Sequence, residues 1–205
     1  MNHLAHLYLS AGHPDEMAGN LLGDFVRGRP EGLSLPEPLM RGVKIHRRID
    51  SFSDGHPATL QARRCFPAPY RRYAGIVLDV VNDYLLTRHW SEFCRQPLPL
   101  FADRAYAVLR AREGHFPPAA RAALHRLIAA DWLTRYATLD DLSRSLERLQ
   151  GRLSRSAPLA EAFEAVVGPA PEQFEAGFFD LFRAVGKEVA AHRKSLTQHN
   201  IGSTS

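Results

Sequence analysis

Apolar residues recur along this chain at the three-and-four spacing of amphipathic helices, with little of the alternation that marks a half-buried strand. The pattern predicts a short first helix over 2–10, where Leu4, Leu7 and Tyr8 pack and His3 and His6 lie one turn apart. A second helix opens at Pro14 with Asp15 and Glu16 in its first turn and ends near Gly28. Its apolar face is Met17, Leu21, Leu22, Phe25 and Val26, with Asn20 and Asp24 one turn apart beside it. Arg29 to Pro38 reads as a loop. A third helix, about 38–52, stops before the turn signal Asp54-Gly55. A fourth, about 56–66, leads through Pro67 and Pro69 into a central helix of about 70–94. After the Gln96-Pro97-Leu98-Pro99 break, helices are expected near 100–113, 118–131, 139–153, 158–167 and 171–195. Thr138 with Asp141 forms a capping-box signal, and Pro117, Pro158 and Pro171 sit at helix starts. The expectation is an all-α protein, a single helical domain over 1–195, with 196–205 as a frayed tail.

The central helix is apolar around most of its circumference, through Ile76, Val77, Leu78, Val80, Val81, Tyr84 and Leu85, as befits a helix in the middle of a domain. Asp79 and Asp83 nevertheless share one stripe of it, a turn apart. Carboxylates on a buried stripe need a cation, a metal or a proton.

Composition changes this picture little. The 205 residues are 45% hydrophobic and 23% charged, ordinary for a globular protein. The net charge of +4, with arginine dominating lysine, suits an acidic protein partner or a phosphorylated substrate. No dense basic run argues for nucleic acid, and no apolar span or leader argues for a membrane. Cys65 and Cys94 lack metal-ligand spacing and fit a reducing compartment, so a cytoplasmic location is expected.

Candidate chemistry concentrates in the first 90 residues: His3 and His6, Asp24, His46 and Asp50, Asp54, Asp79 and Asp83, and His89. Imidazoles and carboxylates drawn from several helices are how an α-bundle holds a divalent cation, and this mixed set suits manganese, magnesium, iron or zinc. Arg27, Arg47, Arg48 and Arg88 flank the acidic positions, and guanidinium forks match phosphate oxygens. Blander readings stand beside these: Asp24 with Arg27 as a surface pair, His46 with Asp50 as a structural pair, Asp79 and Asp83 paired with Arg72 and Arg88. Arg104, Arg110, Arg112, Arg121 and Arg126 read as a solvated helix face. Phosphate loops, dinucleotide-binding glycines, H-E-x-x-H and a serine nucleophile elbow are missing.

Four blocks carry a resemblance: Met1-Asn2-His3-Leu4-Ala5-His6-Leu7, Gly19 through Gly28, His46-Arg47-Arg48-Ile49-Asp50, and Leu78-Asp79-Val80 through Arg88-His89-Trp90. In this order and spacing they resemble the acyl carrier protein phosphodiesterases, over about the first 95 residues. The resemblance implies an HD-domain-like metal-dependent phosphohydrolase bundle that removes 4′-phosphopantetheine from holo-acyl carrier protein with Mn²⁺, or with Mg²⁺ or Fe²⁺. An adjacent His-Asp pair marks ordinary HD enzymes, whereas here His46 is followed by Arg47, with Asp50 the nearest aspartate. It implies Asp24, His46 and Asp83 as metal ligands, and Asp50 and Asp79 as further ligands or as groups that orient them. His6, with His3 behind it, is assigned to proton transfer or phosphate contact. Arg27, Arg47 and Arg48 are assigned to phosphate or to the acidic carrier, with His89 also on the substrate side. On this reading Asp83→Ala abolishes turnover and leaves the fold intact. The alternatives are an HD-type nucleotide phosphohydrolase and a non-catalytic helical binding protein.

Overall fold

The computed structural model describes residues 1–29, 34–151 and 157–202. Among them the chain forms eleven α-helices and no strand: α1 (His3–Leu9), α2 (Pro14–Leu22), α3 (Glu37–Gly55), α4 (Pro57–Arg64), α5 (Ala74–Arg88), α6 (Trp90–Phe93), α7 (Leu98–Arg110), α8 (Pro118–Ala129), α9 (Leu139–Gln150), α10 (Leu159–Val166) and α11 (Glu175–Gly202). The all-α expectation holds. Residues 30–33 of the expected loop, 152–153 of an expected helix end and 203–205 of the expected tail lie outside the described residues. None of the described helices is long and apolar enough to cross a membrane.

The local signals behave as their chemistry dictates. Proline opens α2, α4 and α8, where its missing N–H would have had no helical partner anyway. The Thr138 hydroxyl accepts the Asp141 N–H, and the Asp141 carboxylate accepts the Thr138 N–H, so α9 carries the full capping box. The third helix, expected to stop before Asp54-Gly55, instead runs through both residues, so that turn signal is overridden inside α3. Three further boundaries differ from the periodicity. First, α2 ends at Leu22: the chain turns over Gly23–Phe25, and Gly28 at φ +82 turns it again. Asp24 therefore sits in a turn and not on a helix. Second, the expected 70–94 helix is three pieces, a 3₁₀ turn at Arg71–Tyr73, then α5, then α6. The break at His89 lets Trp90 Nε1 donate to Gln96 O at 2.7 Å while the indole packs on Phe101. Third, α11 continues through Gly202, past the point where the sequence reads a tail.

Two packing features place the site. In the α2–α3 crossing the backbones touch: a Cβ on Gly19 would lie 1.9 Å from Leu39 O, and one on Gly42 would lie 2.2 Å from Glu16 O. Only glycine fits at such a distance. The crossing is reinforced by the buried Glu16 carboxylate, which accepts from Arg41 Nε of α3 at 3.2 Å and from Arg193 Nε of α11 at 2.8 Å. The second feature is α5, which runs through the middle and packs against α1, α4, α9, α10 and α11. Its buried face is Val77, Leu78, Val80, Val81, Tyr84, Leu85 and Leu86, as the apolar circumference leads one to expect, whereas Ile76, also expected there, is exposed.

Candidate functional site

The site is assembled on α1, α2 and α3. Helix α1 has only seven residues, too few to stand alone, and Asn2 at its start makes no side-chain cap. Its cap comes from α5. Asp83, fully buried, accepts the Leu4 N–H at 2.9 Å through one carboxylate oxygen and the Ala5 N–H at 3.0 Å through the other. A carboxylate there satisfies two donors and meets the positive end of the helix. Burial pushes the Asp83 carboxyl up to about 6, against the pull of those two N–H groups.

Helix α1 so anchored brings His6 against α3. The imidazoles of His6 and His46 stack with centroids 4.2 Å apart and planes 25° from parallel. Each directs Nε2 at a different oxygen of Asp50, His6 at Oδ1 and His46 at Oδ2, both at 3.1 Å. The three donor atoms form a compact group fit for a metal ion. The imidazoles are buried while Asp50 is half-exposed, so the group opens to solvent on its carboxylate side. Asp24, equally exposed in the turn after α2, lies 3.6 Å from His46 Nε2 and 3.4 Å from His3 Nδ1.

Asn20 fixes the tautomer of His6. Its Nδ2 donates to the His6 carbonyl at 3.0 Å and to Ser10 Oγ at 2.7 Å, which turns Oδ1 toward His6 Nδ1 at 2.8 Å. His6 Nδ1–H therefore donates to Asn20, and in the neutral ring Nε2 carries only a lone pair. Burial holds the His6 pKa below its ordinary value, which favours that neutral ring. In that neutral ring a lone pair faces a carboxylate oxygen at 3.1 Å, a gap that a proton or a metal ion fills. Asp50 stays ionised: burial pushes its carboxyl up, but the His46 and His6 imidazoles facing its two oxygens hold it well below the usual carboxylate range. At His3, burial pulls the pKa down and the Asp24 carboxylate more than restores it.

The remaining expected site residues lie elsewhere. Asp79 is half-exposed and accepts from the Met1 α-amino group at 2.7 Å, which also lies 3.9 Å from Asp50. Asp79 and Asp83 do not share one environment, because the start of the chain wedges against α5 between them. Arg72 lies over the Tyr73 ring, and Arg88 approaches Glu175 at 3.5 Å, so neither joins the aspartates. Arg47 donates to the carbonyls of Gly28 and Val26 and braces the loop behind Asp24. Arg48 pairs with Glu188 of α11 at 2.7 Å. His89 lies against Phe179 and 3.4 Å from Glu175, in a separate cluster. Arg27 is exposed on the segment after Asp24. Asp54 pairs with Arg63 at 2.6 Å. Arg126, exposed as a solvated face requires, also lines a cavity of about 280 Å³ with His3, Arg135 and Arg148.

Sequence reasoning missed two residues. Asn20 was visible only as a polar position beside Asp24. Gly23 supports the site by being small: a Cβ there would meet the His46 ring at 2.1 Å. Gly23→Ala is expected to displace His46, to cost about 1–3 kcal/mol by overpacking, and to abolish any Mn²⁺-dependent rise in melting temperature. Thermal melts with and without the ion check this, and an undiminished rise would refute the contact's role.

An all-helical chain with two stacked imidazoles sharing one open carboxylate defines a class, helical proteins with a preformed His/Asp centre. The chain belongs to the acyl carrier protein phosphodiesterase family, whose sequence profile matches residues 1–185. Among its relatives, the acyl carrier protein phosphodiesterase of Yersinia pestis is 38% identical over 167 residues, covering 81% of this chain and 86% of the relative. That of Photorhabdus laumondii is 34% identical over 183 residues, covering 89% of each. That of Escherichia coli O9:H4 is 37% identical over 164 residues, covering 80% and 84%. No solved structure matches this chain.

Proposed function

We propose that this protein hydrolyses, in the cytoplasm, the phosphodiester joining 4′-phosphopantetheine to a serine of holo-acyl carrier protein, giving apo-carrier and free 4′-phosphopantetheine. Family membership supports the substrate. The observation that carries the chemistry is the His6 ring, held at Nδ1 by Asn20, whose Nε2 faces Asp50 together with that of His46. Two ring nitrogens turned on one carboxylate suit a cation held among them, and a histidine that donates its other N–H to a fixed carbonyl is the usual metal ligand. The donor set of His6, His46 and Asp50 fits a divalent cation such as Mn²⁺, in a rearranged HD-type centre. Bound there, the ion would act as a Lewis acid toward a phosphoryl oxygen and lower the pKa of a water.

The chain's own residues supply the rest. Asn20 holds His6 in its ligating tautomer, and Gly23 leaves room for His46. Asp24, on the open side, is the group placed to take a proton from the attacking water, and His3 orients it. Arg27 is assigned to the phosphate. The arginines around the His3 cavity suit the acidic surface of a carrier protein. Incubating holo-carrier with the purified protein and Mn²⁺ is expected to release 4′-phosphopantetheine, read by mass spectrometry. Intact holo-carrier under every metal tried would refute the reading.

A further inference from the structure

A cavity of about 370 Å³ opens beside the His/Asp centre, bounded by the end of α3, by α4, by the first half of α5 and by the start of α11. Its volume lies at the lower end of small-ligand sites, room for one slender molecule. Two helices link it to the centre. Helix α3 carries Asp50 and, within the next turn, the cavity-lining Ser53 and Asp54. On α5, Asp79 lines the cavity and shares the Met1 α-amino group with Asp50.

The lining is neither purely apolar nor charged like an anion site. Leu78, Phe174, Phe178 and Leu181 supply apolar wall. Ser53 Oγ, Thr59 Oγ1 and Arg63 Nε belong to lining residues, and each is buried with no hydrogen-bond partner among the described residues. Buried polar groups are ordinarily satisfied, and leaving one unpaired costs about 1–3 kcal/mol. The one lining arginine is already neutralised by Asp54 at 2.6 Å. Such a wall suits a neutral, flexible chain in which amides and hydroxyls alternate with methylenes. By contrast, the cavity on the His3 side carries Arg126, Arg135 and Arg148 and suits an acidic surface.

Resting on the proposed hydrolysis, we infer that the cavity between α3, α4, α5 and α11 is the subsite for the pantetheine arm, and that it gives the substrate a direction. The phosphodiester lies over the His6–His46–Asp50 centre, the amide arm enters between α4 and α11, and the carrier protein lies on the His3 side. Ser53, Thr59 and Arg63 are the hydrogen-bonding positions for the arm's amides and hydroxyls.

Gly177 of α11 lines the cavity, and a Cβ there meets only Ala58 Cβ at an ordinary 3.6 Å. Gly177→Leu therefore fills the space from a helical position that accepts a side chain. Calorimetric titration with pantetheine, which lacks the phosphate, is expected to show binding to the wild type and none to Gly177→Leu. With holo-carrier as substrate, the variant's KM is expected to rise at least tenfold. Thr59→Val, nearly isosteric, is expected to weaken pantetheine binding several-fold, and it decides the matter should Gly177→Leu fail to melt as a folded protein. Unchanged pantetheine binding in folded Gly177→Leu and in Thr59→Val, or no binding to the wild type, overturns the subsite. If the wild type binds pantetheine and folded Gly177→Leu does not, the subsite stands even where holo-carrier is left uncleaved, and only the hydrolysis reading falls.

Discussion

Asp50→Asn is expected to reduce release of 4′-phosphopantetheine from holo-carrier at least about a hundredfold, since ligand loss exceeds the 10–100-fold cost of disturbing the groups that orient a ligand. It should also remove the rise in melting temperature that Mn²⁺ gives the wild type. Two imidazoles aim at the two oxygens of this one carboxylate. Asparagine keeps the shape and deletes the charge that would draw a cation to the centre. Its amide N–H₂ would donate to one bare Nε2. The metal-free variant should therefore melt no lower than the metal-free wild type, which separates loss of the centre from loss of the fold. Activity within tenfold of the wild type, measured with saturating Mn²⁺, would exclude this carboxylate from the chemistry.

Asp83→Ala is expected to act on stability. Two backbone donors at the start of α1 lose their acceptor in a fully buried place, at about 1–3 kcal/mol each. At about 2–4 °C per kcal/mol for a chain of this size, the melting temperature should fall by roughly 10 °C. Turnover should fall with the loss of α1, and should partly return in Asp83→Asn, whose carbonyl can accept one of the two N–H groups. The charge adds a pH dependence. Because the folded pKa of about 6 exceeds the ordinary carboxylate value, the folded state holds a proton there that the unfolded chain has released. That contribution to stability is complete below about pH 4 and lost as pH rises through 6. Asp83→Asn should remove this slope, as urea melts at pH 5 and 7.5 would read. A stable, inactive Asp83→Ala would instead restore Asp83 to the chemistry.

That reassignment shows what periodicity can and cannot reveal. The stripe of Asp79 and Asp83 was legible because a carboxylate on an apolar helix is conspicuous in any sequence. Its partner was not, because the partner is backbone: nothing in the letters Leu4 and Ala5 announces that their N–H groups need an acceptor 79 and 78 residues away. Arg47 and Arg48 misled for a related reason. Guanidinium groups near histidine and aspartate suggest phosphate, yet one braces a loop backbone and the other meets a glutamate on α11. The residues that converge, His6, His46, Asp50 and Asp24, all stood among the expected set, since a short spacing of polar groups on core-facing helices survives folding. Helix boundaries were readable wherever proline or the Thr138–Asp141 pair set them. They were missed at Gly23 and His89, where tertiary contacts decide where the helix stops, and at Asp54-Gly55, which α3 runs through.

The clamp of Asp83 on α1 also sets an order of events during synthesis. The chain leaves the ribosome from its N-terminus, but the carboxylate that holds the first helix belongs to the fifth. A seven-residue helix has no stability alone, so the segment bearing His3 and His6 must wait, unstructured, until more than eighty residues have emerged. A nascent chain cut off before α5 would carry all of the centre's side chains in its sequence and be unable to bring them together.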